Sequence, residues 1–375
     1  GGDDLPDILI GGMRLDSLVK WGETDLILPL NDYYEGLGFF VNQSFEEGCE
    51  MSLDEALMYM TCYDGNIYSL PTFSESYNNQ LSGNRILVYE PWLEKLNIDR
   101  YSVKTTDDYY DLLCQIRDTD LNENGEKDEI PLIASKNTLG NLRRGLMSPF
   151  VTCQPNYWTK EDGKIDVTFN RDEWREGIKY IHKLVEEGLI MPESFTQDAD
   201  QMTAIQTQDP HIVGGVARVS TTNIPAADPR FTAYTHIMPL EGPSGMREIV
   251  RTPSIPGNAM AITSNCVSPE VAFRLGDYLC SEEMTIWGRF GEEGVDWDKP
   301  KEGEISPYED LDLVPYKTVL TINKALSWAE LPNNFWANSG PRVYGAKLFF
   351  GQALPLDMEE NEREYQYTLA QDYFT

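Results

Sequence analysis

The sequence predicts a two-lobed α/β protein, and three observations lead there. A chain of 375 residues exceeds what one hydrophobic core usually holds, so at roughly 150 residues per domain it divides into two units. Short β-prone runs alternate with longer amphipathic helical segments along the whole chain, the pattern of layered α/β folds. No internal repeat or low-complexity linker is present, so the lobes are expected to be joined by extended crossings rather than a flexible tether.

The expected strands are 7–10, 67–70, 85–89, 130–134, 211–219, 234–238 and 259–263, each a short aliphatic, aromatic or β-branched run. Asp64-Gly65 and Asp162-Gly163 lie between β-prone residues and predict tight turns, because both residue types tolerate positive φ. Thr105-Thr106-Asp107-Asp108 predicts the start of the helix carrying Leu112 and Ile116. Asn170 with Glu173 predicts another, with Trp174, Ile178, Ile181 and Val185 on one face until Gly188 ends it. Ser268-Pro269 places a cap and an N1 proline ahead of Val271, Leu275 and Leu279.

Composition removes several function classes. Sixty-two acidic against 30 basic residues give a net charge of -32, which opposes nucleic acid and any other polyanion. The same charge keeps a protein in solution and repels it from anionic lipid, so membrane attachment requires a separate anchor. The apolar runs are far shorter than the roughly 20 residues of a bilayer crossing. The six cysteines show neither a CxxC pair nor zinc-finger spacing, and Cys114 and Cys280 fall in apolar helical patterns as small buried hydrophobes. His182, His211 and His236 are scattered, and HExxH, GxSxG, P-loop and GxGxxG motifs are absent, so catalysis is not expected.

Several segments resemble, in order, the extracellular solute-binding proteins of ABC transporters, family 1, carbohydrate type, in the lipoprotein branch of Gram-positive bacteria. They are Asp4-Leu5-Pro6-Asp7-Ile8-Leu9, Tyr63-Asp64-Gly65-Asn66-Ile67-Tyr68-Ser69-Leu70-Pro71, and Pro91-Trp92-Leu93-Glu94-Lys95-Leu96 followed by Thr105-Thr106-Asp107-Asp108. Later come Ala259-Met260-Ala261-Ile262-Thr263 with Ser268-Pro269-Glu270, and Gly291-Glu292-Glu293-Gly294-Val295-Asp296-Trp297. The resemblance implies a type II periplasmic-binding fold, with three crossings between lobes and ligand in the cleft. It implies residues 1–78 and 258–330 in lobe 1, and 79–257 and 331–375 in lobe 2. The family's first strand and last helices are expected to lie outside the chain. It further implies capture of an oligosaccharide or related solute by a monomer and delivery to permease subunits, from an extracellular position held by a lipid anchor. The alternatives are a surface receptor of the same fold feeding a sensor kinase and a glycan-cleaving enzyme.

The sharpest local motif runs from Asp120 to Glu129. Oxygen-bearing side chains alternate, and Gly125 stands where an EF-hand loop turns. Asp120, Asn122, Asn124, the Glu126 carbonyl and Asp128 are candidate calcium ligands, although the twelfth position is Pro131 rather than glutamate. Alginate-binding relatives close a similar loop with an Asp-Glu pair, which implies Asp128 and Glu129 here. A metal-free polar turn is the alternative. For ligand, aromatic faces that stack on sugars and planar groups that read hydroxyls are sought in irregular polar stretches. Trp158, Trp297 and Trp336 qualify, with packing as the alternative for each, whereas Trp92 and Trp174 read as core. The resemblance adds Glu75, Tyr77 and Asn78 in the first crossing. Arg14 and Arg251 can fork a uronic carboxylate or form surface salt bridges.

Overall fold

The computed structural model describes residues 5–76, 80, 85–136, 139–152, 157–161, 163–217, 224–225, 227–248, 253–323 and 334–360, with 363–364, 368 and 370. The chain forms two compact units, one from Gly1–Ser76 with Pro253–Thr375 and one from Tyr77–Thr252.

The first unit begins with β1 (Ile8–Met13), α1 (Leu15–Glu23), α2 (Asn31–Leu37), α3 (Phe39–Gly48), α4 (Leu53–Met60) and β2 (Leu70–Ser74). The strand expected at 67–70 instead runs from Leu70 to Ser74. Helix α4 starts on a capping box, in which Ser52 Oγ accepts from Glu55 N while the Glu55 carboxylate accepts from Ser52 N. Helix α3 has no cap of its own. The buried Asp277 carboxylate, from the far end of the chain, accepts from Phe40 N at 3.0 Å and Val41 N at 2.8 Å.

The second unit contains β3 (Ile86–Tyr89), α5 (Glu90–Leu96), α6 (Thr106–Asp118), α7 (Leu139–Met147), β4 (Trp158–Glu161), β5 (Lys164–Val167), α8 (Asp172–Glu186), α9 (Ala199–Gln206), β6 (Gly215–Val216) and β7 (Tyr234–Ile237). Its sheet has the order β6-β3-β7, antiparallel on both sides of β3. Residues 130–134 join only by single parallel bridges, Ile130 to Val213, Leu132 to Ile190 and Ile133 to Val216. Helix α6 opens where expected, and Thr105 and Asp108 form a capping box there. At α8 the expectation fails locally: Asn170 ends a 3₁₀ turn, and Arg171 precedes the helix without a side-chain cap. Ile178 points to solvent, because the buried line runs through Gly177 and Leu184. A Cβ on Gly177 would stand 2.6 Å from the Met147 side chain, so the glycine lets α7 and α8 approach.

The chain then returns to the first unit with β8 (Gly257–Ile262), α10 (Pro269–Leu279), α11 (Glu282–Phe290), β9 (Trp297–Asp298), α12 (Pro307–Asp310), β10 (Leu320–Ile322), α13 (Asn334–Ser339), β11 (Arg342–Tyr344), α14 (Ala346–Phe350) and β12 (Gln352–Ala353). Its main sheet has the order β1-β8-β2-β11, with β8 antiparallel to β1 and β2, and β11 parallel to β2. Two corrections follow. Val271 and Leu275 are exposed, and α10 instead buries Ala272, Phe273 and Gly276; at Gly276 a Cβ would stand 2.6 Å from Leu70 Cδ1. Residues 331–375, expected in the second lobe, belong to the first unit, because β11 is hydrogen-bonded to β2 and Val343 packs with Phe45 and Phe73. The chain therefore passes between units twice rather than three times.

Candidate functional site

The loop after α6 folds on its own side chains. Asp120 accepts from Asn124 N at 3.1 Å and Gly125 N at 2.9 Å, and Asn124 Oδ1 accepts from Glu126 N at 2.8 Å. Glu123 and Gly125 take φ of 60° and 92°, which closes the turn. Glu129 is buried. Its Oε1 accepts from Leu121 N at 2.6 Å and Asn122 N at 3.1 Å, whereas Oε2 has no hydrogen-bond partner among the described residues. Asn122 and Asn124 donate through Nδ2 to the Asp128 carboxylate at 3.1 and 3.2 Å. Among the described residues no group of three or more His, Cys, Asp or Glu side chains could by itself hold a metal ion, so ligation here must draw on asparagine and backbone oxygens. The donor set fits a hard cation: every candidate is an oxygen, and one buried carboxylate oxygen is unsatisfied.

The residues expected to bind ligand have separate fates. Arg14 is on the surface, forking Asp16 at 3.0 and 3.3 Å. This is the salt-bridge alternative. Glu75 is 4% exposed and accepts from Glu50 N at 3.0 Å, Met51 N at 2.9 Å and Ala346 N at 2.9 Å. Both oxygens are committed, so this carboxylate ties the end of β2 to the start of α14 instead of facing a solute. Burial pushes its pKa up, against the pull of those three amides.

Trp297 donates from Nε1 to Gly291 O at 3.1 Å and pins the turn before β9. The half-buried Trp336 is packed by two glycines: a Cβ on Gly288 would stand 2.7 Å from its indole, and one on Gly340 2.6 Å. Trp158, on β4, is 52% exposed. Beside it Tyr157, at a φ of 64°, lies under the Arg143 guanidinium at 3.9 Å, with Phe169 at 6.0 Å and Trp174 at 5.8 Å. Tyr77, Asn78 and Arg251 lie outside the described residues. A cavity of about 220 Å³ in the first unit is lined by Phe40, Gln43, Glu47, Glu282, Glu283 and Leu348, among others, and by none of the residues expected to bind ligand.

No family model matches the chain. The fructooligosaccharide ABC transporter substrate-binding protein FusA of Streptococcus pneumoniae is 28% identical over 305 residues, 77% of this chain and 54% of FusA. The chain is thus similar to an ABC transporter substrate-binding protein over most of its length. Lipoprotein LipO of Bacillus subtilis is 25% identical over 210 residues, 52% of this chain and 38% of LipO. The chain thus spans about half the length, or less, of these curated relatives.

Among solved structures, FusA in complex with kestose superposes with a TM-score of 0.72 at 23% identity, covering 99% of this chain and 72% of FusA. A FusA EF-hand mutant in complex with fructo-nystose gives 0.73 at 22% identity, covering 99% and 73%. The chain therefore has the α/β fold of these solved structures.

Sequence reasoning passed over Arg289 and Arg342. An arginine in a short β-prone run is taken as surface, and only the packed structure shows Arg342 to be 7% exposed.

Proposed function

We propose that the chain is the extracellular solute-binding component of an ABC importer. It acts as a monomer, captures an oligosaccharide or related small solute without chemical change, and passes it to permease subunits. The likeness to FusA over 77% of the chain carries this reading. The lipoprotein relative supports a lipid anchor as the means of retention. Among the described residues no helix is long and apolar enough to cross a membrane. The exposed Trp158 is the best placed of the expected aromatics to stack on a sugar face, with Trp297 and Trp336 as further candidates. Titration with kestose and a panel of neutral and acidic oligosaccharides tests it. A ligand present at 100 times its dissociation constant is expected to stabilise the protein by ~2.7 kcal/mol. If no saccharide in the panel gives binding heat or a thermal shift, oligosaccharide capture is refuted.

We also propose that the loop from Asp120 to Glu129 holds a structural calcium ion. Asp120, Asn122, Asn124, the Glu126 carbonyl, Asp128 and Glu129 would hold it, and bound calcium would supply rigidity. The unsatisfied Glu129 oxygen supports this assignment. Calcium should raise the melting temperature of chelator-treated protein, and Glu129→Gln should abolish the rise. An unchanged melting temperature on chelation and calcium return would overturn the assignment.

A further inference from the structure

Arg342 is the first residue of β11 and lies opposite Thr72 of β2 in the parallel register. Val343 packs into the core with Phe45 and Phe73, so the two-residue repeat of a strand sends Arg342 and Tyr344 to the other face. On that face Arg289, from the last turn of α11, lays its guanidinium over the Tyr344 ring at 4.0 Å. Gly288 of α11 and Gly340, two residues before β11, are the glycines that pack Trp336. The sequence thus assembles an aromatic ring and two guanidinium groups from α11, α13 and β11.

Among the described residues Arg342 has no counter-charge. Its Nε and Nη1 are buried without a hydrogen-bond partner among the described residues. The charged groups that influence it are Arg289, which opposes its charge, and Tyr344; burial and Arg289 together push its pKa down to about 9. It is still a cation at neutral pH. A buried cation is normally paired, because desolvation without a partner is costly. Elsewhere in this chain the rule holds: Arg230, 11% exposed, is bonded to Asp228 at 2.7 Å. With 62 acidic residues against 30 basic, the absence of a carboxylate beside Arg342 among the described residues is not for want of carboxylates.

We propose that Arg342, with Arg289 beside it, is the receptor for a carboxylate carried by the captured solute, which makes the ligand class an acidic saccharide. The planar guanidinium fork matches a carboxylate, and a saccharide carboxylate would supply the counter-charge that the described residues do not. This assignment rests on the solute-binding reading and narrows it.

Calorimetric titration of the intact chain with digalacturonate, its methyl ester, kestose and inorganic phosphate tests it. The acid should bind at least ~10-fold more tightly than the ester, the effect of a hydrogen bond to a charged group. Arg342→Met should reduce that preference to within about twofold while kestose affinity changes less. Equal binding of acid and ester, a preference that survives Arg342→Met, or phosphate binding as tightly as digalacturonate would each overturn the acidic-saccharide assignment alone. Failure of every saccharide would remove the solute-binding reading beneath it. The melting temperature of ligand-free Arg342→Met separates binding from folding: it should stay level or rise, since an unpaired buried charge is removed. A fall would show that the fold itself needs the charge. Arg289→Gln should weaken the acid preference in the same direction, and an unchanged preference would remove Arg289 from the receptor.

Discussion

Acidification tests how the second unit is packed around His211. Its imidazole is enclosed by Tyr89, Trp92 and Tyr234 at ring distances of 4.3, 5.4 and 6.1 Å, and Tyr234 Oη lies 3.3 Å from Nε2. Burial is the main cause that pushes its pKa from 6.5 down to about 4, with the Arg230 charge acting in the same direction. The fold therefore favours the neutral ring. This contribution to stability is complete above the unfolded-state pKa and is lost as pH falls through 6.5 toward 4. The 2.5-unit difference sets a ceiling of ~3 kcal/mol, of which about 2 kcal/mol is lost by pH 5. Asp228, the nearest carboxylate in this cluster, is held low by its hydrogen bonds to Arg230 and titrates beneath that window. Denaturant melts of wild type and His211→Phe at pH 7.5 and 5 isolate the effect, because each protein is compared with itself. Wild type should lose about 2 kcal/mol more than the variant. Equal losses would mean that the ring titrates freely in the folded protein, and the packing argument would fail.

Three further outcomes follow from single side chains. Glu75→Ala strands the amides of Glu50, Met51 and Ala346 and should cost ~3 kcal/mol in a chemical denaturation midpoint; a neutral result would mean that water replaces the carboxylate. Gly276→Ala places a methyl 2.6 Å from Leu70 Cδ1 and 2.8 Å from Met260 Sδ, and should destabilise by about 1–3 kcal/mol, read as a lowered melting temperature. Thr105→Ala removes the side-chain half of the α6 capping box and should cost ~1 kcal/mol in the same assay.

What was readable in the sequence was what is decided locally. Thr105-Thr106-Asp107-Asp108 opens α6 as expected, and the capping box found there joins residues only three apart. The alternating oxygens of 120–129 likewise fold on themselves, since most of their hydrogen bonds are to residues within eight positions, with Lys95 and His211 as the distant partners. What escaped depends on distant partners. Asn170 has the right chemistry for a cap, but a 3₁₀ turn consumes it before the helix begins. Val271 and Leu275 have the spacing of a buried stripe on α10, yet Gly276 lets the helix approach Leu70 on another face, and both are left in solvent. Glu75 reads as a polar crossing residue; its role is set by amides 25 and 271 positions away.

Three arginines show why residue type cannot locate an anion site by itself. Arg14 was a candidate for a carboxylate and found one two residues away, in water, where such a pair contributes little. Arg230 found two, Asp228 at 2.7 Å and Asp209 at 3.2 Å, and its charge is spent within the fold. Arg342 was placed by β11 on a face where its electrostatic neighbours are a second guanidinium and a tyrosine. The strand register that fixes it there also pairs β11 with β2 and keeps residues 342–344 in the first unit. The same pairing therefore corrects the expected domain boundary and creates a buried cation with no ion-pair partner among the described residues. A fold this acidic had many ways to neutralise that charge and uses none among the described residues, which is the physical ground for looking to the solute for the missing carboxylate.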